Sequence, residues 1–248
     1  MADYVKNLAV QSYCFRDFKD NAKVAQLVQE LGLSGIEVCG VHCDFNKPET
    51  FGGVIDTYRK AGIRIVSIGV EGFGPDEAHA RRRFEFARQA GCKVISANFS
   101  PFTFQATLPV VYKLAEEFGI HLAIHNHGGY HWLGSGEILD WVFAFTRPCI
   151  GLNMDCAWAL DARQDPLQWA DRFAQRLYAC HLKDFVFDRA RRSQDVVIGQ
   201  GNLKLGELLA KFKVNGFKGE LILEYEGDSS NPVPALKECV EAVRQAAK

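Results

Sequence analysis

The residues best suited to chemistry are four side chains that each close an apolar run in the second half of the chain: His125 in HLAIHNHGG, Asp155 in IGLNMDC, His181 in YACHLKD and Glu224 in ELILEYEGD. Neutral imidazole nitrogens and carboxylate oxygens are the donors proteins offer to divalent cations. Two of each suit Mn, Co, Fe, Ni or Zn better than Mg, which prefers oxygen ligands. The four are far apart in sequence, so they can share one ion only if the fold brings the same end of several strands to one place. A parallel β/α barrel does so, because the C-terminal ends of all its strands surround one mouth. The expectation is one divalent metal ion held by His125, Asp155, His181 and Glu224.

Other polar residues fall beside these positions. Strand alternation puts His127 on the side of His125, and Lys183 on the side of His181. His127 would either meet a ligand at the mouth or simply pack. The Lys183 ammonium would hold a hydroxyl or a developing oxyanion, or else pair with Asp184 or Glu226. Glu226 is also the rival of Glu224 as a ligand, and for Asp155 the competing role is a cap or loop hydrogen bond. Glu37 and Glu71, at or just past two earlier strands, are further candidates to reach a substrate at the mouth, with a salt bridge as the alternative. The Arg81-Arg82-Arg83 run lies in a helical pattern and reads as a solvated face.

The elements that must position these residues are short β-branched runs alternating with amphipathic stretches. Strands are expected near 7–13, 35–39, 63–69, 93–97, 120–125, 149–155, 177–182 and 220–225. Helices fit NAKVAQLVQELG, PETFGGVIDTYRKAG, PDEAHARRRFEFARQAG, FQATLPVVYKLAEEFG, DPLQWADRFAQ and PVPALKECVEAVRQAA. In LGLSG, KAGI, QAGC, EFGI and NGFKG a glycine falls where a helix stops and a strand begins, a position that calls for a left-handed conformation. A strand start about every 30 residues is the length of a βαβ step, and eight such steps close a barrel. An open doubly wound sheet shows the same alternation, but no GxGxxG follows the first strand. No linker divides residues 1–248, so a single α/β domain is expected. The long segment 185–202 reads as an irregular loop overhanging the mouth.

Bulk properties exclude more than they specify. With 29 Lys and Arg against 30 Asp and Glu, the net charge of -1 gives no electrostatic footprint for nucleic acid. No signal-like segment opens the chain, and no run approaches the ~18 apolar residues of a membrane span. A soluble, cytoplasmic protein that engages neither nucleic acid nor membrane is expected, and a homo-oligomer is compatible with the sequence. The eight cysteines are scattered and read as reduced, apolar side chains. Cys39, His42 and Cys43 form the tightest cluster but lack a second ligand pair at zinc-finger spacing.

With these pieces in place the chain resembles the sugar phosphate isomerase/epimerase family, whose members share the xylose isomerase-like (β/α)8 TIM barrel. The likeness runs from LGLSGIEV through HLKD and the IGQG turn to GELILEYEGD. It implies Asp155, His181 and Glu224 as metal ligands and favours Glu224 over Glu226. In the fifth strand such proteins usually carry ENHGG, where this chain has His125-Asn126-His127-Gly128-Gly129. Imidazole preserves metal binding, but the pair of carboxylates that flanks the substrate in the family's epimerases loses one member. Three residues past Asp155, Trp158 stands where those epimerases tend to have histidine; its face can stack on a sugar ring or wall the pocket.

The resemblance implies a metal-dependent isomerase or epimerase for a small-molecule sugar, sugar phosphate or related polyol. The cation would stabilise the cis-enediolate formed when a base, best supplied by Glu224, takes the proton between a carbonyl and a hydroxyl. A lyase or dehydratase acting on a keto-sugar, inosose or 3-keto-glycoside is the alternative, since elimination suits an asymmetric pair of groups. A sugar-binding barrel without catalysis is a third reading. Cleavage of damaged DNA, known in a distant relative, calls for more metal ligands and a basic groove.

Overall fold

Five glycines that end helices adopt the backbone the sequence demands. Gly91 (φ 82°) and Gly119 (φ 66°) are the left-handed residues that close α3 (Glu77–Ala90) and α4 (Phe104–Phe118) and turn the chain into the next strand. Gly32, Gly62 and Gly216 do the same elsewhere. Helix starts are capped by acceptors at the first free N–H groups: Asp20 before α1 (Asn21–Glu30), Asp76 before α3 and Ser135 before α5 (Gly136–Phe145).

The computed structural model describes residues 6–248. Its main sheet is built from β1 (Ala9–Gln11), β2 (Gly35–Val38), β3 (Arg64–Ile68), β4 (Glu71–Phe73), β5 (Val94–Phe99), β6 (His121–His125), β7 (Ile150–Asp155), β8 (Leu177–Leu182) and β11 (Glu220–Leu223). All its pairings are parallel, in the order β3-β2-β1-β11-β8-β7-β6-β5-β4. The two ends of that order are halves of one broken strand. β3 pairs with β2, the chain steps sideways at Gly69 and Val70, and β4 pairs with β5. The third strand thereby closes the barrel. A Cβ on Gly69 would stand 2.5 Å from the Ser96 carbonyl oxygen, so the step requires a residue without one.

The helices, completed by α2 (Phe51–Lys60), α6 (Cys156–Asp161), α7 (Pro166–Arg172), α8 (Leu205–Val214) and α9 (Val233–Ala246), cover the outside of the sheet. A continuous apolar layer fills the space between, with Val24, Phe51, Phe84, Leu114, Leu139, Trp169, Leu208 and Val240 from the helices against the outward faces of the strands. Inside the barrel, Ala9, Val66, Ala179 and Ile222 form a separate small plug. Two residues beyond the plug residues of β1, β8 and β11 stand Gln11, His181 and, just past the end of β11, Glu224. Alternation turns these polar groups inward, above the plug.

The eight-strand barrel is as the sequence predicts, with local departures. The first strand is only Ala9–Gln11, because residues 12–15 wind into a 3-10 turn. The helices at 136–145, 156–161 and 205–214 lie outside the stretches expected to be helical. The segment after β8 is not irregular: β9 (Asp184–Phe187) and β10 (Ser193–Val196) pair as an antiparallel hairpin, correcting the loop expectation. The Arg81-Arg82-Arg83 run is not a solvated face either. Arg83 is buried, with its guanidinium 3.0 Å from Glu71 Oε2. Among the described residues, no helix is long and apolar enough to cross a membrane, and all eight cysteines are free thiols.

Candidate metal centre

Adjacent strands bring the four candidate ligands together by register alone. Asp155 on β7 is the Cα partner of His181 on β8; His125 ends β6 beside Asn153, and Glu224 follows β11 directly. His125 Nε2 lies 3.1 Å from His181 Nδ1 and 3.4 Å from Asp155 Oδ2, while His181 Nδ1 lies 3.2 Å from Glu224 Oε2. The four donor atoms all fall within 4.8 Å of one another, and all four residues are buried. Donors of a tetrahedral site with bonds of roughly 2.0–2.1 Å stand roughly 3.3–3.4 Å apart. The three distances of 3.1, 3.4 and 3.2 Å along the cluster are close to that spacing. Among the described residues no other group of this kind occurs, Cys39, His42 and Cys43 included.

The surroundings fit a metal as well as the distances do. Asp155 combines the two roles the sequence set against each other. Its Oδ1 caps α6 by accepting from Trp158 N at 2.8 Å, and its buried Oδ2 has no hydrogen-bond donor. Asn126 clamps its backbone, giving a hydrogen bond to Asp155 O at 3.0 Å and taking one from Asp155 N at 2.8 Å. His181 turns Nδ1 toward the other ligands and gives Nε2 to Glu37 Oε1 at 2.8 Å. Glu37 in turn accepts from Gln11 Nε2 at 2.5 Å. A carboxylate behind a histidine ligand fixes its tautomer and raises its basicity. Nδ1 of His125 has no such partner and is buried without a hydrogen bond.

Charge follows the same geometry. Burial would depress His181, but the charges and hydrogen bonds of Glu37 and Glu224 outweigh it and hold the imidazole well above its ordinary value. Burial pushes Glu224 up, yet Lys183 and His181 overcome it and leave the carboxyl well below the usual range. Glu37 is likewise net lowered, with burial opposed by His181. Burial carries Asp155 up to about 7 despite the pull of Lys183. Burial and the charge of His181 push His125 down to about 3, so its imidazole is neutral and free to ligate.

A cavity of about 500 Å³ opens over this cluster, with Gln11, Tyr13, Glu71, His127, Trp158 and Glu226 on its walls together with His125 and Glu224. Of the sequence candidates for substrate contact, His127, Glu71 and Trp158 thus reach the cavity. Burial, then the neighbouring His125, hold His127 near 3, and its Nδ1 lacks a partner. Glu37 is not at the mouth: it is fully buried behind His181. Lys183 is fully buried as well, bonded to Glu226, with Nζ 3.7 Å from Glu224 Oε2 and 3.9 Å from Asp195 Oδ1. Burial works against its charge, but those carboxylates raise its pKa above the ordinary lysine value. Of the two readings of Lys183, the structure shows the pairing with Glu226, which leaves the ammonium beside Glu224.

Sequence reasoning missed Gln11, Asn126, Arg83 and Asp195. Asn126 stood in the HNHGG run and was readable there. Asp195 reaches Lys183 only because β9 and β10 fold as a hairpin, for which the segment 185–202 carries no clear turn signal.

The sequence profile of the xylose isomerase-like TIM barrel family matches residues 25–246. No curated protein sequence matches the chain. Among solved structures, a sugar phosphate isomerase/epimerase from Parabacteroides distasonis ATCC 8503 superposes with a TM-score of 0.76 at 16% identity, over 100% of this chain and 97% of that one. The 3-keto-D-glucoside 4-epimerase YcjR from E. coli, in its apo form, superposes with a TM-score of 0.74 at 16% identity, covering 96% and 99% of the two chains. The IolI protein with a bound zinc atom gives 0.76 at 16% identity, over 97% and 98%. At these identities the structural likeness shows the fold.

Proposed function

The chain belongs to the xylose isomerase-like TIM barrel family, and from that premise we propose that it is a divalent-metal-dependent isomerase or epimerase of a sugar, sugar phosphate or related polyol. The observation that carries the reading is the convergence of His125 Nε2, Asp155 Oδ2, His181 Nδ1 and Glu224 Oε2 beneath a cavity of substrate size. These four residues would hold the cation. When bound, it would polarise a substrate carbonyl and offset the negative charge that develops as the neighbouring proton leaves.

The remaining work falls to side chains around the cavity. Glu224 is the base: it lines the cavity, and Lys183 at 3.7 Å keeps it ionised. The enediolate left by proton removal sits in the field of the Lys183 ammonium, which is itself held by Glu226 and Asp195. Trp158 offers an apolar face to the C–H side of a sugar ring. Glu71, steadied by Arg83, and His127 are placed to orient hydroxyls.

A second reading rests on the asymmetry of the ligands. Of the four, only His125 and Glu224 line the cavity, so it meets one neutral imidazole and one carboxylate rather than two carboxylates. Removal of one proton and expulsion of a β-oxygen from a keto-sugar, inosose or 3-keto-glycoside needs one base, with Lys183 or His127 to meet the leaving oxygen. Metal analysis of the purified protein, followed by a deuterium-exchange screen over ketoses, inososes and 3-keto-glycosides, tests both. Metal-dependent exchange into at least one class is expected. Protein that takes up metal yet exchanges none of them would favour a barrel that only binds sugar.

A further inference from the structure

We propose that the chain carries a second ligand site, outside the metal cavity, for an organic phosphate with an apolar ring. A cavity of about 550 Å³ lies between the turn joining α6 to α7 and the segment running from the β9–β10 hairpin to the start of α8. It shares no lining residue with the metal cavity. Between the two stands an aromatic partition: Trp158 packs on Phe185 at 5.0 Å between ring centroids, and Phe185 on Phe187 at 6.2 Å. Phe187 faces the second cavity.

The lining has two halves of opposite character. Leu160, Phe187 and Leu203 are apolar, whereas Arg163, Arg191 and Lys204 bring three cations against the single carboxylate of Asp165. That carboxylate is engaged in capping α7 through Leu167 N at 2.8 Å, and Lys204 lies 3.6 Å from Glu207. Neither Arg163 nor Arg191 pairs with a carboxylate among the described residues; the Arg191 guanidinium rests 4.3 Å over the Phe187 ring. The chain as a whole has a net charge of -1, so this pair is not part of a generally basic protein.

Their backbones set the two arginines apart. Arg163 (φ 59°) and Arg191 (φ 64°) are the only non-glycine residues with positive φ among the described residues, and both line this one cavity. Glycine adopts that conformation at lower cost, so the backbone gives no reason for arginine at either place. The side chains do. Two exposed guanidinium groups that pair with no carboxylate match the oxygens of a phosphate dianion, which each can contact through paired N–H donors. The apolar walls match a ring attached to it.

The same reasoning makes Arg163→Gly and Arg191→Gly clean probes, since glycine relaxes each backbone. Calorimetric titration of the metal-loaded protein with 1-naphthyl phosphate, inorganic phosphate and 1-naphthol reads both halves of the site. The naphthyl phosphate is expected to bind roughly ten-fold or more tightly than either fragment, and the double glycine variant to lose roughly ten-fold in affinity with metal content unchanged. Each single variant should give part of that loss, which keeps the test decisive if the double variant folds poorly. An affinity unchanged by the glycine substitutions would mean that phosphate binds elsewhere, such as at the metal, and would overturn the proposal. So would 1-naphthol binding as tightly as its phosphate, or inorganic phosphate binding as tightly as the aryl ester.

Discussion

Glu224 is asked to do two things that a single substitution can separate. In Glu224→Gln an amide oxygen can still approach the cation, but the group that takes the proton is gone. Turnover should fall by about 1,000-fold or more while metal content, read by elemental analysis, falls far less. Near-normal turnover would move the base elsewhere. His125 is the residue that most separates this site from a two-carboxylate one. His125→Glu restores a second carboxylate at the cavity, and should increase two-faced scrambling of deuterium-labelled ketoses relative to wild type. Efficient scrambling by wild type would show that His127 or Lys183 already acts as the second group. Glu37 does not line the cavity, yet it accepts the Nε2 proton of His181. As a positioning residue it is tested by Glu37→Gln, expected to weaken metal binding by roughly 10- to 100-fold. A metal titration showing wild-type affinity would assign Glu37 to packing alone.

At the scale of elements, the loop after β8 is organised by one side chain. Asp184 is buried and accepts from the backbone N–H groups of Gly199, Gly201, Asn202 and Leu203, tying the base of the β9–β10 hairpin to the lead-in of α8. Asp184→Ala strands those donors, and a loss on the order of 3 kcal/mol in denaturant unfolding is expected. Asp195 rides on the same hairpin, so turnover should fall too; an unchanged unfolding midpoint would show that water replaces the carboxylate without cost. The contrast between this loop and the strands explains what the sequence made legible. Apolar runs ending in His125, Asp155 and His181 announce strands, because burial on both faces demands such runs. Glycine in QAGC and EFGI announces helix ends for an equally local reason. The sideways step at Gly69, the clamp by Asn126 and the support of Glu71 by Arg83 depend on partners 12 or more residues away, and the hairpin, though its partners are nearer, turns without a glycine or proline to announce it. Arg83 is the instructive failure: three consecutive arginines on a helix cannot all face water, and the one turned inward found a buried carboxylate.

For the molecule as a whole, the buried cluster of His125, Asp155, His181 and Glu224 ties stability to pH. His181 has a folded pKa above its unfolded one. Without metal, the stability it contributes is full below about pH 6.5, the ordinary histidine value, and is lost as pH rises through the folded value. Asp155, raised to about 7, acts in the same direction from its ordinary value upward, because the folded chain holds the proton more tightly. His125 and His127, both near 3, act oppositely, but only between about 3 and 6.5, and are neutral in both states above that. The carboxyls of Glu37 and Glu224, both lowered from the ordinary carboxylate value, add nothing to the change above pH 6.5. Above pH 6.5 the metal-free protein therefore loses stability from this cluster as pH rises. A cation must displace the same protons, so its affinity, and with it the stabilisation it gives, grows over that range. Buried thiols such as Cys14, raised by desolvation, lower stability near pH 9 in both forms and cancel in the difference. The gap in thermal midpoint between metal-loaded and chelator-stripped protein should accordingly widen from about pH 6.5 to 8.5. A gap that stays constant would mean that binding displaces no proton, and that His181 and Asp155 are not the ligands.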